Sequence, residues 1–333
     1  MYTLVTGATG FIGKRLVKRL VDEGRRVKCL VRNSSDIAYL SSLGVEFIYG
    51  DILEATSYSK ELVDVEIVYH LAGNTKPNNF SQLDSYKINT EGTKILLDSL
   101  CNYLGNIKKI VIVSSIAATG PSLNGKPLTE ESPMLPITSY GESKKMVELL
   151  AREYYLEYGL PIVVVRPPMV YGVGDRDWSS FFKMIKLASI NDRKLFLPGN
   201  HKNKIDFCYV DNLVEALICA EITNRTIGGV YFASDNQSYS IQEIVDAVCL
   251  AYGITPPSKY YSTFFCIIIA RIFDFISKIL HKEMPVGVRE VNWMTKDYWV
   301  CDISKLKRDT NYTAKISLRE GIKKTIESIE ASK

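Results

Sequence analysis

Residues Tyr140-Gly141-Glu142-Ser143-Lys144 place a phenol and an ammonium four positions apart. On a helix they would lie on one face, one turn apart. An ammonium close to a phenol favours the phenolate and lowers its pKa from about 10. A phenol tuned in this way passes a proton to or from a carbinol oxygen near neutral pH. Tyr-x-x-x-Lys is common in helices, so its position matters. The preceding apolar strand ends Val113-Ser114-Ser115, where the Ser115 hydroxyl would hold a substrate oxygen and Ser114 would serve the turn.

A second group of residues could bind the partner such chemistry needs. Thr6-Gly7-Ala8-Thr9-Gly10-Phe11-Ile12-Gly13 follows a strand and opens a helix. Glycines there permit a tight turn and let backbone N–H groups approach a pyrophosphate at the helix N-terminus. The sequence places this loop at the first strand–helix junction, which points to a dinucleotide. The second strand ends Val31-Arg32-Asn33-Ser34-Ser35. An NAD enzyme would carry an acid there to accept from the ribose hydroxyls. Arg32 instead suits a 2′-phosphate, so NADP is expected over NAD. Asp51 and Ile52 follow the third strand. Asp51 could accept from the adenine amino group or cap the next turn.

These residues need a scaffold that brings strand ends together. Short apolar runs at Tyr2–Thr6, Arg26–Val31, Glu46–Tyr49, Ile67–His70, Lys109–Val113 and Ile162–Arg166 read as strands. Helices are expected between them, at Phe11–Glu23, Phe80–Leu104 and Ser139–Tyr158 among others. Such alternation implies an α/β fold, a doubly wound parallel sheet covered on both faces. Val/Ile runs such as Ile110–Val113 fit strands buried on both sides. The alternation weakens after Tyr171. The expected division is a Rossmann-type dinucleotide domain over residues 1–171, with returns from the later chain, and a smaller substrate-binding lobe over 172–333.

Composition narrows the class. The chain has 333 residues, 46% hydrophobic and 23% charged, which suits a folded core rather than disorder. A net charge of +4 without a concentrated basic patch gives no case for nucleic acid. The seven cysteines contain no Cys-x-x-Cys pair, so they read as thiols in a reducing compartment rather than a disulfide framework or a metal site. A strand at Tyr2 leaves no room for a signal peptide, so a cytoplasmic protein is expected.

The motifs taken in order resemble the extended short-chain dehydrogenase/reductase family. They are Gly7-x-x-Gly10-x-x-Gly13, His70-Leu71-Ala72-Gly73, Asn89-x-x-Gly92-Thr93, Ser114-Ser115, Tyr140-x-x-x-Lys144 and Arg166-Pro167-Pro168-x-Val170-Tyr171-Gly172. The resemblance runs from Tyr2 to about Leu217, with a fainter echo at Cys301–Lys305 and Leu318–Ile322. It implies that Tyr140 is the general acid/base, that Lys144 also binds the nicotinamide ribose, and that Ser115 orients the substrate oxygen. It further implies that Leu71, Ala72 and Gly73 line the adenosine and pyrophosphate side, and that Pro167 to Val170 flank the nicotinamide. Asn89 reads otherwise as an ordinary helix-surface amide. A homodimer is implied too, paired through helices Phe80–Leu104 and Ser139–Tyr158. Those helices carry Leu96, Leu97 and Leu100, and Leu149, Leu150 and Tyr154, on more than one face.

Within that family the residues favour a reductase of a small-molecule substrate, similar to dihydroflavonol reductase or 3-beta-hydroxysteroid dehydrogenase. In Lys204-Ile205-Asp206-Phe207, Ile205 stands where nucleotide-sugar enzymes carry an Arg for the diphosphate. Lys202, Lys204 or Arg289 could compensate, so an NAD-dependent sugar epimerase or dehydratase stays open. So does a dinucleotide sensor without chemistry. The apolar helix expected over residues 264–280 carries a narrow stripe of Arg271, Asp274, Lys278 and His281. It reads either as a lid over the substrate cavity or as an interfacial helix resting on a membrane.

Overall fold

The computed structural model describes residues 1–75, 86–280, 287–296 and 298–331. Seven parallel strands form the main sheet. They are β1 (Tyr2–Thr6), β2 (Val27–Val31), β3 (Glu46–Tyr49), β4 (Val65–His70), β5 (Lys109–Val113), β6 (Ile162–Arg166) and, from much later in the chain, β9 (Val230–Phe232). Their order is β3-β2-β1-β4-β5-β6-β9, the doubly wound arrangement with its crossover beside β1. Strand β9 was not among the expected strands. Its three residues carry too short a period to read, and pairing with β6 from Val164↔Val230 to Arg166↔Phe232 defines it.

Burial explains the Val/Ile runs. Within β5, Val111 and Val113 belong to one hydrophobic cluster and Ile110 and Ile112 to another. Helix α1 (Phe11–Asp22) feeds the first cluster through Leu16, Val17 and Leu20. After the short turn α2 (Ala38–Ser41), helices α3 (Gly92–Cys101) and α4 (Ser139–Tyr158) feed the second through Leu96, Leu97, Leu100, Val147 and Tyr154. The two clusters cover opposite faces of one sheet, which is why the strands alternate without showing a polar side.

The expected helix Phe80–Leu104 begins outside the described residues. From Lys87 to Glu91 the chain makes a π-turn before α3, and Leu104 lies beyond the helix end. Leu96, Leu97, Leu100 and Tyr154 are spent inside the protomer, so they cannot serve a pairing surface. Of the apolar residues on α4, Leu149, Leu156 and Tyr158 face outward.

A second sheet is built around β8 (Lys204–Tyr209). It pairs with β7 (Met169–Tyr171) and β11 (Tyr298–Trp299) in parallel and with β10 (Ser238–Ser240) antiparallel. Around these sheets lie α5 (Asp177–Ile190), α6 (Val210–Ile222), α7 (Ile241–Tyr252), α8 (Thr263–Leu280), α9 (Val288–Met294), α10 (Ser304–Thr310) and α11 (Leu318–Ala331).

Helix α4 is locked in place by three contacts. Thr138 caps it, its hydroxyl accepting from Gly141 N at 3.0 Å. Gly141 packs so closely that a Cβ there would sit 2.4 Å from the Ala117 carbonyl oxygen. On its inner face Glu148 accepts from Arg166 Nε at 2.9 Å and from the Ser114 hydroxyl, with both ionic side chains 3% exposed. Removing one partner of a buried pair strands the other charge. Glu148→Ala should therefore cost about 3–5 kcal/mol of unfolding free energy, measured by urea denaturation. A loss below about 1 kcal/mol would show that the pair does not hold the helix.

Candidate active site

The C-terminal ends of the strands open into a cavity of about 860 Å³. Its walls include Gly7, Thr9, Gly10, Phe11, Ile12 and Gly13 from the first loop, and Leu71 and Gly73 after β4. Ser115, Tyr140 and Lys144 lie beyond them, with Pro167 and Val170 after β6. These thirteen positions, all singled out in the sequence, thus meet in one space.

The loop end is shaped to receive an anion. Gly7 takes a left-handed backbone, φ +70°, and a Cβ there would lie 2.6 Å from the Leu71 carbonyl carbon. A Cβ on Gly13 would fall 2.2 Å from the Gly7 carbonyl oxygen, so helix α1 must start against the loop itself. No side chain caps α1, and no acid stands in its first turn. Its first N–H groups therefore face the cavity wall with the helix dipole behind them. These features fit a dinucleotide pyrophosphate.

The adenosine side is less direct. The register Thr6↔Leu30 sets Val31, the last residue of β2 and paired with Tyr49, and Arg32 just past it, beside the glycine loop. Arg32 is exposed at that point. Its backbone N–H donates to Ser35 Oγ at 3.2 Å, so the two ends of the Arg32–Ser35 turn are joined. Arg32, Asp51, Ile52 and Ala72 lie outside the cavity wall. Asp51 closes a local turn by accepting from Leu53 N at 2.9 Å. Ile52 packs on Gly92, and Ala72 N donates to Thr6 Oγ1 at 3.2 Å. Lys14 does line the cavity, with its ammonium 5.9 Å from the Tyr39 ring. Sequence reasoning missed it, although it directly follows the last glycine in the first turn of α1.

At the other end, Ser115 hydrogen-bonds the Tyr140 phenol. Lys144 Nζ lies 5.9 Å from the Tyr140 ring centroid and donates to the Val113 carbonyl at 2.8 Å. The expected lowering of the phenol is absent in this geometry. Burial pushes Tyr140 up to about 12, with the Ser115 bond opposing it. Burial also brings Lys144 down to about 8, with Glu148 opposing. Both groups are thus held toward their neutral forms by the same apolar surroundings.

Two buried devices position this machinery. Asn89 is 1% exposed and is no surface amide. Its Oδ1 accepts from Asn74 N at 2.7 Å, and its Nδ2 donates to Asn74 O and to Ser143 Oγ. It therefore ties the loop after β4 to helix α4, from a π-turn that aims its side chain inward. His70 is flanked by the hydroxyls of Thr6 at 2.7 Å and Thr93 at 2.8 Å. Burial first, then Lys144, depresses it to about 3, so it is a neutral strut.

The outer wall came as new information. Gly174, Asp175, Arg176, Asp177 and Trp178 line it, and Trp299 arrives from β11. No period or motif in the second lobe flagged them. Ile205 is buried in the core, and Asp206 beside it accepts from Cys301 N and the Ser238 hydroxyl. Lys204 ends exposed, while the Arg289 side chain lies outside the described residues.

Known proteins share this sequence pattern and this fold. Residues 3–231 match the NAD dependent epimerase/dehydratase family. The chain is 30% identical to an uncharacterized protein of Sinorhizobium fredii, covering 97% of this chain and 94% of that one. It is 25% identical to 2-alkyl-3-oxoalkanoate reductase of Shewanella oneidensis, covering 97% and 85%. Among solved structures it is similar to UDP-glucuronic acid 4-epimerase from Bacillus cereus in complex with NAD. The TM-score there is 0.79 at 23% identity, covering 100% of this chain and 99% of that one. With its glycine loop, its Tyr140/Lys144 helix and its seven-stranded sheet, the chain belongs to the NAD-dependent epimerase/dehydratase family, within the extended short-chain dehydrogenases/reductases.

Proposed function

We propose that this protein is an NADP(H)-dependent oxidoreductase that interconverts a carbonyl and a secondary alcohol, with Tyr140 as general acid/base. The observation that carries the reading is the meeting of Ser115, Tyr140 and Lys144 on one wall of the cavity that begins at the glycine loop. When bound, the nicotinamide supplies or accepts the hydride. The chain's own part is the proton. In reduction, Tyr140 Oη gives its proton to the substrate oxygen, which Ser115 Oγ holds by a hydrogen bond. Lys144 then steadies the phenolate with its ammonium.

Two features support a reductase over a sugar epimerase. No acid stands at the end of β2, where Val31 is buried and Arg32 is exposed. Ile205 lies in the core and offers no cation to a diphosphate. The similarity to a 2-alkyl-3-oxoalkanoate reductase over nearly the whole chain points the same way. The epimerase reading keeps one observation of its own, since Arg176 in the cavity wall could meet an anionic substrate group.

Tyr140→Phe removes only the hydroxyl. Carbonyl reduction should fall about a hundredfold or more, with cofactor affinity nearly kept. Activity within about twofold of the parent would take Tyr140 out of the mechanism. The pH profile supplies a second check. A phenol at about 12 stays protonated through the working range, whereas Lys144 loses its proton near 8. Reduction should hold level to about pH 8 and decline above it; a profile flat to about pH 10 would detach Lys144 from the step.

Cofactor choice is tested by titration. A bidentate guanidinium on a 2′-phosphate should contribute about 1.5–3 kcal/mol, roughly ten- to a hundredfold in affinity. Arg32→Ala should cost NADPH affinity by that factor and leave NADH nearly unchanged. Equal affinity of the parent protein for NADH and NADPH would overturn the NADP assignment and raise the epimerase reading.

A further inference from the structure

Helix α8 is amphipathic with its apolar side outward. Cys266, Ala270 and Ser277 form its buried face. That face is fixed by Thr263 Oγ1, which accepts from Gly199 N at 3.0 Å, and by Cys266, which hydrogen-bonds the Leu197 backbone. Asp274 turns toward α9 and accepts from Val288 N at 3.1 Å. A lid would direct its bulky residues at the cavity, but none of the described side chains of α8 lines it.

The outward face carries Phe264, Phe265, Ile268, Ile272, Phe275 and Ile279. Their exposure runs from 37% at Ile268 to 71% at Phe264. At 100° per residue these six fall within one arc of about 100°. A contiguous apolar stripe of this size marks an interaction site on a water-facing protein.

Its rim names the occupant. Arg271 is exposed at the border of the arc. At the N-terminal end, Lys194 Nζ lies 5.8 Å from the Tyr261 ring, which in turn stacks on Phe265 at 6.3 Å. Arg193 is exposed beside Lys194, and the bridge Leu195↔Tyr260 holds that loop against the chain entering α8. Of the described acids near the rim, Asp192 is paired with Lys259 at 2.5 Å and Asp274 accepts from the Val288 amide. Cations and aromatic rings thus border an apolar stripe, the pattern of a helix lying in the surface of an anionic bilayer. Among the described residues no helix is long and apolar enough to cross a membrane, so the contact is with one leaflet.

We infer that α8 docks the protein on an anionic lipid surface, with the stripe from Phe264 to Ile279 in the headgroup–acyl boundary and the Lys194/Arg271 rim on the headgroups. The inference rests on α8 and its rim alone and is independent of the cofactor assignment.

Vesicle flotation tests it with the full chain. The parent protein should float with vesicles of equal parts phosphatidylglycerol and phosphatidylcholine, less with phosphatidylcholine alone, and less as salt is raised. Ile272→Glu with Phe275→Glu should cut the bound fraction on anionic vesicles about tenfold. Thermal unfolding and reductase turnover on a water-soluble ketone should stay near the parent's, since neither residue lines the cavity. Lys194→Glu with Arg271→Glu, which leaves the apolar stripe whole, should weaken binding to anionic vesicles and leave binding to neutral ones unchanged. A parent protein that stays with the bulk solution overturns the inference, as does a double-Glu variant that floats equally well. Light scattering separates the other occupant. A dimer that Ile272→Glu with Phe275→Glu dissociates, in a protein that ignores vesicles, would show that a second copy covers the stripe.

Discussion

Everything in the site depends on how firmly one helix is held to one strand end. Glu148 and Arg166 meet out of reach of water, and the Ser114 hydroxyl completes the carboxylate's partners. A buried pair of this kind contributes little net stability, because desolvation offsets the attraction. It does penalise any other register of helix α4 against β5 and β6, since a slipped helix would strand two charges. The absent side chain at Gly141 adds a steric limit, letting the helix backbone come down onto the Ala117 carbonyl. Charge sets the register and glycine sets the distance, and Tyr140 and Ser115 end up in hydrogen-bond contact.

The same enclosure sets the electrostatics. Lys144 is buried against the Val113 carbonyl, and its ammonium is already close to giving up its proton. Tyr140 resists ionisation for the same reason. Tyr140 rests neutral, Lys144 keeps an ammonium that it holds weakly, and each is sensitive to whatever charge enters the cavity beside it. Neutral His70 fits this economy. A second cation next to Lys144 would be costly, and two threonine hydroxyls satisfy the imidazole without one.

The sequence made the sheet legible because strands buried on two faces leave continuous Val/Ile runs, and because glycines at a strand–helix junction have few other uses. Tyr140, Lys144 and Ser115 were legible by order and spacing. Asn89 was not, because a π-turn rotates it from the helix surface to the interior, and such a turn leaves no periodic trace. Strand β9 is too short to show a period. The outer wall at Gly174–Trp178 and Trp299 is assembled from a turn, a helix start and a two-residue strand, so nothing local marks those residues as neighbours. Helix α8 was recognised as apolar, but which side faced water depended on tertiary packing alone.

Strand β9 also bears on how the chain is made. The sheet's edge at β6 is complete only once Val230–Phe232 has joined it, after the whole span from Pro167 to Gly229 has been synthesised. At translation speeds of about 5–20 residues per second, that strand edge waits roughly 3 to 13 s for its neighbour. A parallel strand with four apolar residues in a row, Ile162 to Val165, and an open ladder is a template for pairing with other chains. The nascent protein therefore passes through a window in which this edge of its sheet stays unpaired.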